Sequence, residues 1–273
     1  VSAAEMVYGI KASITIDGMV YTDIYSVALY ADTILTDKDF ANSYIASENA
    51  KGNNGKERLE QLRTLVKAML DYGSWAQVYF DRAPDLLINS ILVTNDSYSP
   101  YYYAPKDVTP DMINTGSGKM HVGLNAYGLE YTGSTLVYLS ESTLRHYYKI
   151  TDQAKFDAVK DKVTFNGQPV THGVKDDVIY FELKNIGADE LDTLFTLKID
   201  SNEYQYSVLD YVKECLTSDT TPESLKNLAK ATYRYNQAAN VFFDTKASTV
   251  KASSSENGSV KAMSADTTET QKD

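Results

Sequence analysis

One amphipathic helix occurs twice in this chain, and this repetition limits how the chain can fold. Residues 65–80 read LVKAMLDYGSWAQVYF and align without a gap with residues 228–243, which read LAKATYRYNQAANVFF. The shared positions are Leu65/Leu228, Lys67/Lys230, Ala68/Ala231, Tyr72/Tyr235, Ala76/Ala239, Val78/Val241 and Phe80/Phe243. In both segments apolar residues recur every three or four positions, which keeps one helix face turned towards a partner. The repetition predicts a duplicated helical hairpin that serves as scaffold.

The duplication extends upstream of this helix. Residues 24–35 (IYSVALYADTIL) match residues 205–216 (QYSVLDYVKECL), and Ser26 and Ser207 stand where each helix is predicted to begin. A serine hydroxyl there accepts a free amide proton of the first turn, so both serines are predicted N-caps. An alternating strand precedes each copy, ASITID in the first and LFTLKID in the second. Between its helices the first copy carries extra polar residues, of which 49–56 are predicted to form an exposed loop.

Residues 114–200 consist of short alternating runs separated by Gly, Asn and Asp. Such spacing is typical of an antiparallel β-sandwich. One short helix is predicted within it, at residues 151–163. The predicted fold class is therefore α+β, with antiparallel, Ig-like β-sandwich units alternating with two-helix hairpins and an internal duplication.

This pattern predicts four regions. Residues 1–94 hold the end of a first β-unit and a helical hairpin, and residues 95–113 form a Tyr- and Pro-rich connector. Residues 114–244 hold a β-sandwich and the second hairpin. Residues 245–273 are rich in Ser, Thr, Ala and Lys and lack aromatic residues. Such a segment buries too little apolar surface to offset its ordering entropy, so it is predicted to be a disordered tail or linker.

The formal net charge of −11 bears on the partners. Binding to nucleic acid or to an anionic membrane surface needs a basic patch, so neither partner is expected. No apolar run approaches the roughly 20 residues of a membrane-spanning helix. The first residues show no signal-peptide pattern, so an export signal, if the protein is exported, is expected upstream. The single cysteine, Cys215, aligns with Ile34 and is predicted to be a buried apolar residue.

Catalytic and metal-binding patterns are absent from the sequence. His121, His146 and His172 lie far apart, and none belongs to a zinc-binding motif. There is no nucleophile elbow, phosphate-binding loop or dinucleotide fingerprint. We therefore predict that the chain is not an enzyme and needs no cofactor and no metal. The acidic composition leaves calcium binding open, although no EF-hand spacing is present.

Tyrosine dominates the aromatic residues, with 22 Tyr against 8 Phe and 1 Trp. Four of them, Tyr98, Tyr101, Tyr102 and Tyr103, lie in the connector segment NDSYSPYYYAP. Tyrosine rings suit sugar stacking and protein recognition, which makes these four, together with Trp75, the candidate ligand-binding residues. The alternative is that the connector packs its rings against the rest of the protein. Trp75 aligns with an alanine, so it either seals an interdomain contact or is exposed.

The motifs YSVxxYAxxIL, LVKAMLDYGxxAQxYF and NIGADELDTLFTLKID resemble modules of large surface or secreted proteins of gut Firmicutes of the Ruminococcus and Lachnospira type. The resemblance covers about residues 1–243 and is most specific in the hairpins. It implies an extracellular, non-catalytic module at the cell surface or cell wall. It transfers no functional residue.

Three hypotheses follow for the function. The first is a module that binds a polysaccharide or another extracellular ligand. The second is a structural spacer or stalk without a ligand, and the third is an adhesin for a host protein. Exposure of the candidate aromatic residues separates the first and third from the second.

Overall fold

The computed structural model describes residues 2–82, 107–115, 123–138, 142–169, 172–175 and 177–243. These ranges form a mixed α/β structure with antiparallel sheets and six α-helices. The predicted tail after residue 244 lies outside the described residues. The division into four regions and the Ig-like sandwich stay predictions.

The chain first forms a two-stranded antiparallel ribbon, with β1 at Ile10–Ile16 and β2 at Met19–Tyr25. Asp17 and Gly18 form its turn and both have a positive φ, of 51° and 78°. Helix α1, Val27–Thr36, follows at once, and the Ser26 side chain accepts a hydrogen bond from the Leu29 amide at 3.0 Å. The predicted N-cap at Ser26 is confirmed.

Two further helices complete the first half, α2 at Lys38–Ala50 and α3 at Gly55–Phe80. Helix α2 occupies the extra residues of the first copy, where sequence analysis predicted no helix, and leaves only residues 51–54 outside the helices. The physical reason is a cap: the Asp37 carboxylate accepts from the amides of Asp39 and Phe40 at 2.7 and 2.8 Å. The first helical unit therefore has three helices, where a two-helix hairpin was predicted.

Two four-stranded antiparallel sheets follow. One has the order β3–β4–β8–β7 and the other β10–β9–β5–β6. The strands are β3 Leu129–Tyr138, β4 Ser142–Ile150, β5 Val163–Phe165, β6 Gln168–Pro169, β7 His172–Lys175, β8 Val178–Leu183, β9 Phe195–Ile199 and β10 Asn202–Tyr206. A short helix α4, Gln153–Asp157, lies between β4 and β5, within the predicted helical segment. Residues 124–127 form a 3-10 turn, although the alternating pattern favoured a strand.

The inner faces of these two sheets contact each other through aromatic side chains. The His146 ring of β4 lies 4.7 Å from the Tyr206 ring of β10 and 6.4 Å from the Phe165 ring of β5. Residues fully buried around this contact are Leu144, Tyr148, Ile179, Phe181, Leu197 and Ile199. These residues belong to one continuous apolar core that also includes residues of the helices.

The chain then forms α5, Val208–Thr217, and α6, Glu223–Phe243. Ser207 caps α5 and forms a capping box with Asp210, so this predicted N-cap is also confirmed. Cys215 is buried as predicted, and burial raises the pKa of its thiol. Helix α6 packs on α3, which joins the two helical units in one body. None of the described helices is long and apolar enough to cross a membrane.

Candidate functional site: the groove beside the paired helices

Of the five aromatic residues predicted to bind a ligand, only Trp75 lies in the described part of the chain. Tyr98, Tyr101, Tyr102 and Tyr103 lie outside the described residues. Trp75 lies on α3, where it is half-buried and packs against the core. Its role in ligand binding stays a prediction.

Helices α3 and α6 meet through residues at equivalent positions of the sequence repeat. The rings of Tyr72 and Tyr235 stack with centroids 5.4 Å apart, and one position earlier Arg234 binds Asp71. At the outer end, the Arg58 guanidinium near the start of α3 lies 4.5 Å from the ring centroid of Phe242 at the end of α6. The two helices therefore run antiparallel, with a local two-fold axis near the tyrosine pair.

The Asp71–Arg234 contact is a buried ion pair. The Arg234 Nε and Nη2 atoms donate to Asp71 Oδ2 at 2.9 and 2.6 Å, and both side chains are almost completely buried. Burial raises the pKa of Asp71 because a carboxylate loses water, and this outweighs the opposing effects of Arg234 and of a hydrogen bond with Trp75. The pair locks the two helices in register.

A groove with a volume of about 600 Å³ runs along one side of this helix pair. One wall is the first part of α3, and the other is the last part of α6. A third side comes from the short segment 107–115, which begins within the predicted connector. The lining residues are Glu57, Glu60, Gln61 and Thr64 of α3, Tyr233, Arg234, Gln237, Ala238 and Val241 of α6, and Asp107, Val108 and Met112 of the segment.

Segment 107–115 is held in place by hydrogen bonds from α5 and α6. The Tyr233 hydroxyl donates to the Met112 carbonyl at 3.2 Å, and the Lys230 ammonium donates to Asp107 Oδ1 at 2.9 Å. The hydrogen bond with Lys230 is the main reason that the pKa of Asp107 lies below its usual value. The Lys213 ammonium adds a bond to the Ile113 carbonyl at 3.1 Å. The third side of the groove is therefore fixed to its walls.

The polar groups of the groove are amides and carboxylates rather than free cations. Gln61 Oε1 accepts from Arg58 at 2.7 Å, and Gln237 Nε2 donates to Asn236 at 3.1 Å. Each amide keeps a further donor or acceptor for a ligand. Together with the Tyr233 ring and the exposed, apolar Val241, these groups suit a neutral, hydroxyl-rich molecule with an apolar face.

Metal-ligand clusters are not found in the part of the chain that the structure describes. His146 is buried between the sheets, where its Nδ1 lies 2.6 Å from Ser134 Oγ. His121 lies outside the described residues.

The groove residues were not singled out by sequence analysis. Gln61 and Gln237 look like ordinary polar positions on a helix surface. One feature of the sequence could have marked Tyr233 as a candidate. It lies off the repeated apolar stripe, and its equivalent in the first copy is the buried Leu70. The groove itself arises from the packing of α6 on α3, which no local pattern reveals.

Comparison of the chain with protein-family models, with curated protein sequences and with solved structures finds no match. The function is therefore inferred from the geometry of the groove and from the sequence.

Proposed function

We propose that this chain is a non-catalytic, extracellular module of a bacterial surface protein and that it binds a glycan in the groove between α3 and α6. The observation that carries the proposal is a fixed groove in which the Tyr233 ring lies beside side-chain amides. Sugar recognition uses this combination, because a pyranose ring stacks on an aromatic face while its hydroxyls bond to amides and carboxylates.

Three sequence features support the same proposal. The acidic composition disfavours nucleic acid, the excess of tyrosine suits a ligand surface, and the motifs resemble modules of surface proteins of gut Firmicutes. The connector that carries Tyr98, Tyr101, Tyr102 and Tyr103 also contains Asp107, which lines the groove. In this proposal Ig-like β-sandwich units alternate with helical units, and the helical pair carries the ligand.

Affinity electrophoresis of the full chain tests the proposal, in gels that contain soluble starch, xylan, mucin or no polymer. We expect one polymer to retard the protein, and we expect the double substitution Gln61→Ala/Gln237→Ala to abolish the retardation. The matched control is Gln205→Ala, which removes an exposed glutamine of β10 far from the helix pair in sequence. Mobility that no polymer changes, or retardation that survives the double substitution, refutes glycan binding in the groove.

The second candidate function is a structural spacer built from repeated units. The observation in its favour is the exposed β1–β2 ribbon, which has an apolar face without a covering layer among the described residues. Unchanged mobility in every gel would make this the preferred function.

A further inference from the structure

The β1–β2 ribbon exposes an apolar face. Every residue of both strands is exposed. Directly paired residues of an antiparallel ribbon share a face, and here Ile10 pairs with Tyr25, Ile14 with Tyr21 and Ile16 with Met19. These six side chains are 50–59% exposed. The Ala12–Asp23 pair lies on the same face, so one carboxylate interrupts the apolar surface. An exposed apolar surface of this kind marks a contact surface.

The opposite face is polar on β1, whereas β2 contributes Thr22 and the exposed Val20 and Ile24 to it. Lys11, Ser13 and Thr15 alternate with the isoleucines, and Ser13 bonds across the ribbon to Thr22 at 2.9 Å. Strict alternation is the pattern of a strand with one buried face and one solvated face. The sequence of β1 is therefore suited to a sheet that is covered on the isoleucine side.

The second copy shows what covers this face. The β9–β10 ribbon also precedes a Ser-capped helix, and its turn residue Asp200 has φ 52°, close to the 51° of Asp17. Phe195 pairs with Tyr206 at its base, where the first ribbon pairs Ile10 with Tyr25. The apolar face of β9–β10 is at most 7% exposed and consists of Phe195, Leu197, Ile199, Tyr204 and Tyr206.

Two contacts bury the second ribbon. Its inner face packs on the sheet β3–β4–β8–β7, as in the contact between Tyr206 and His146. The outer edge of its strand β9 pairs antiparallel with β5, with Val163 opposite Ile199. Within the described ranges, by contrast, β1 pairs only with β2, so its outer edge also offers unpaired backbone groups.

We propose that the β1–β2 ribbon is a docking surface for an antiparallel β-unit with the build of residues 123–186. The occupant covers the isoleucine and tyrosine face with an apolar sheet and adds a strand antiparallel to the outer edge of β1. The choice of occupant rests on the second ribbon, whose equivalent face and edge are covered in this way. The proposal is independent of the groove, which lies on the helices.

Hydrogen exchange measured by mass spectrometry tests the proposal on two proteins. One is the chain itself, and the other carries a duplicate of residues 107–186 joined directly to Ser2. Ser2 corresponds to Gly187 of the second copy, because each precedes a 3-10 turn whose third residue is a glutamate. In the chain itself we expect fast exchange of the β1–β2 amides. In the extended protein we expect exchange about 100-fold slower, because a docked sheet must open before these amides exchange. Light scattering should show that the extended protein is a monomer.

Matched substitutions in the extended protein separate docking from a general effect of the added residues. Ile14→Glu places a charge on the apolar face and should abolish the slow exchange. Thr15→Glu places the same charge on the opposite face and should leave it intact. Amides of α3 and α6 report folding in every variant, and if they lose protection the duplicate is joined through a flexible Gly/Ser linker of about 12 residues.

Two results overturn the proposal. Fast exchange of β1–β2 in the extended protein, with α3 and α6 protected under either linkage, shows that this type of β-unit does not dock. Slow exchange of β1–β2 in the chain itself, together with a dimer in light scattering, shows that a second copy covers the ribbon instead.

Discussion

Tyr72 and Tyr235 occupy the same position of the two repeated helices, and their rings stack at 5.4 Å with an angle of 16° between the planes. Equivalent residues touch only near a two-fold axis, so the two helical units associate in the manner of an isologous dimer within one chain. Next to the axis the two copies differ, because Asp71 of the first helix occupies the position of Arg234 in the second, and the two form an ion pair. Two aspartates or two arginines there would repel, whereas the mixed pair favours the observed association.

We predict that the stacked tyrosines are energetically coupled. Tyr72→Leu and Tyr235→Leu should each destabilise the protein, and the double variant should lose less than the sum of the two. The expected coupling is about 0.5–1.5 kcal/mol, the range measured for aromatic pairs beyond area burial. Urea unfolding of the four proteins in the cycle gives this value. The control is the same cycle with Tyr72→Leu and Tyr44→Leu. Tyr44 stacks on Phe40 within α2, so the losses of stability from these two substitutions should add.

Removing one partner of the buried ion pair should be costly. Arg234→Met leaves the Asp71 carboxylate buried without its cation, and we expect a loss of about 3–5 kcal/mol of unfolding free energy. The double variant Asp71→Leu/Arg234→Met removes both charges and should recover most of this loss. Chemical denaturation measures both variants. An equal loss in the single and double variants would mean that apolar packing, and not the uncompensated charge, determines the cost.

Two buried tyrosines of the sheets should respond in opposite ways to loss of the hydroxyl. In the described part of the chain nothing bonds to the Tyr148 hydroxyl, although the residue is completely buried. An unsatisfied buried polar group costs about 1–3 kcal/mol, so Tyr148→Phe should stabilise the protein by about 1 kcal/mol. The Tyr206 hydroxyl donates to Glu214 at 3.1 Å, so Tyr206→Phe should destabilise it by about 1 kcal/mol. Thermal unfolding followed by circular dichroism distinguishes the two directions.

The carboxyl of Glu214, which is partly removed from water although the residue as a whole is exposed, should make stability depend on pH. Burial raises its pKa above the ordinary value of 4.5, and the nearby Asp210 adds to this effect. Between the unfolded and the folded pKa, the folded protein thus retains a proton that the unfolded chain has lost. The stability that the protonated carboxyl contributes is complete below the unfolded pKa and is lost as the pH rises through the folded pKa. Glu214→Gln should therefore become progressively more stable than the parent protein as the pH rises from about 4 to 7.

Glu48 provides a control of opposite sign. Hydrogen bonds from Lys51 and Asn53 lower its pKa, so its contribution is present above the unfolded pKa and is lost as the pH falls through the folded pKa. Glu48→Gln should be less stable than the parent protein at neutral pH, and the difference should shrink in acid. Urea unfolding at several pH values measures both variants. Parallel pH profiles for the two variants would contradict the assignment.

The elements that sequence patterns predicted well are those with local causes. Ser26 and Ser207 cap their helices because a hydroxyl satisfies a free amide, and that need is set within four residues. Helix α2 was missed because its residues 38–50 lack a clear apolar stripe, while its Asp37 cap resembles any polar loop residue. The sheets were predicted as alternating runs, but their order was not.

The groove could not be predicted, because its walls lie more than 160 positions apart in the chain. Gln61 and Gln237 become neighbours of one cavity only when α6 packs on α3. The candidate tyrosines of the connector lie outside the described residues, so their role stays a prediction, as does that of Trp75.

By itself the sequence determined the repeated helices, their caps and the alternation in the first strand of each ribbon, since periodicity and capping act between residues close in the chain. Only the tertiary structure decided that the two copies pair across a two-fold axis, that a groove opens beside them, and that one ribbon is covered while the other is exposed. Those outcomes depend on which distant surfaces meet, and burial of an apolar face is a property of both surfaces together.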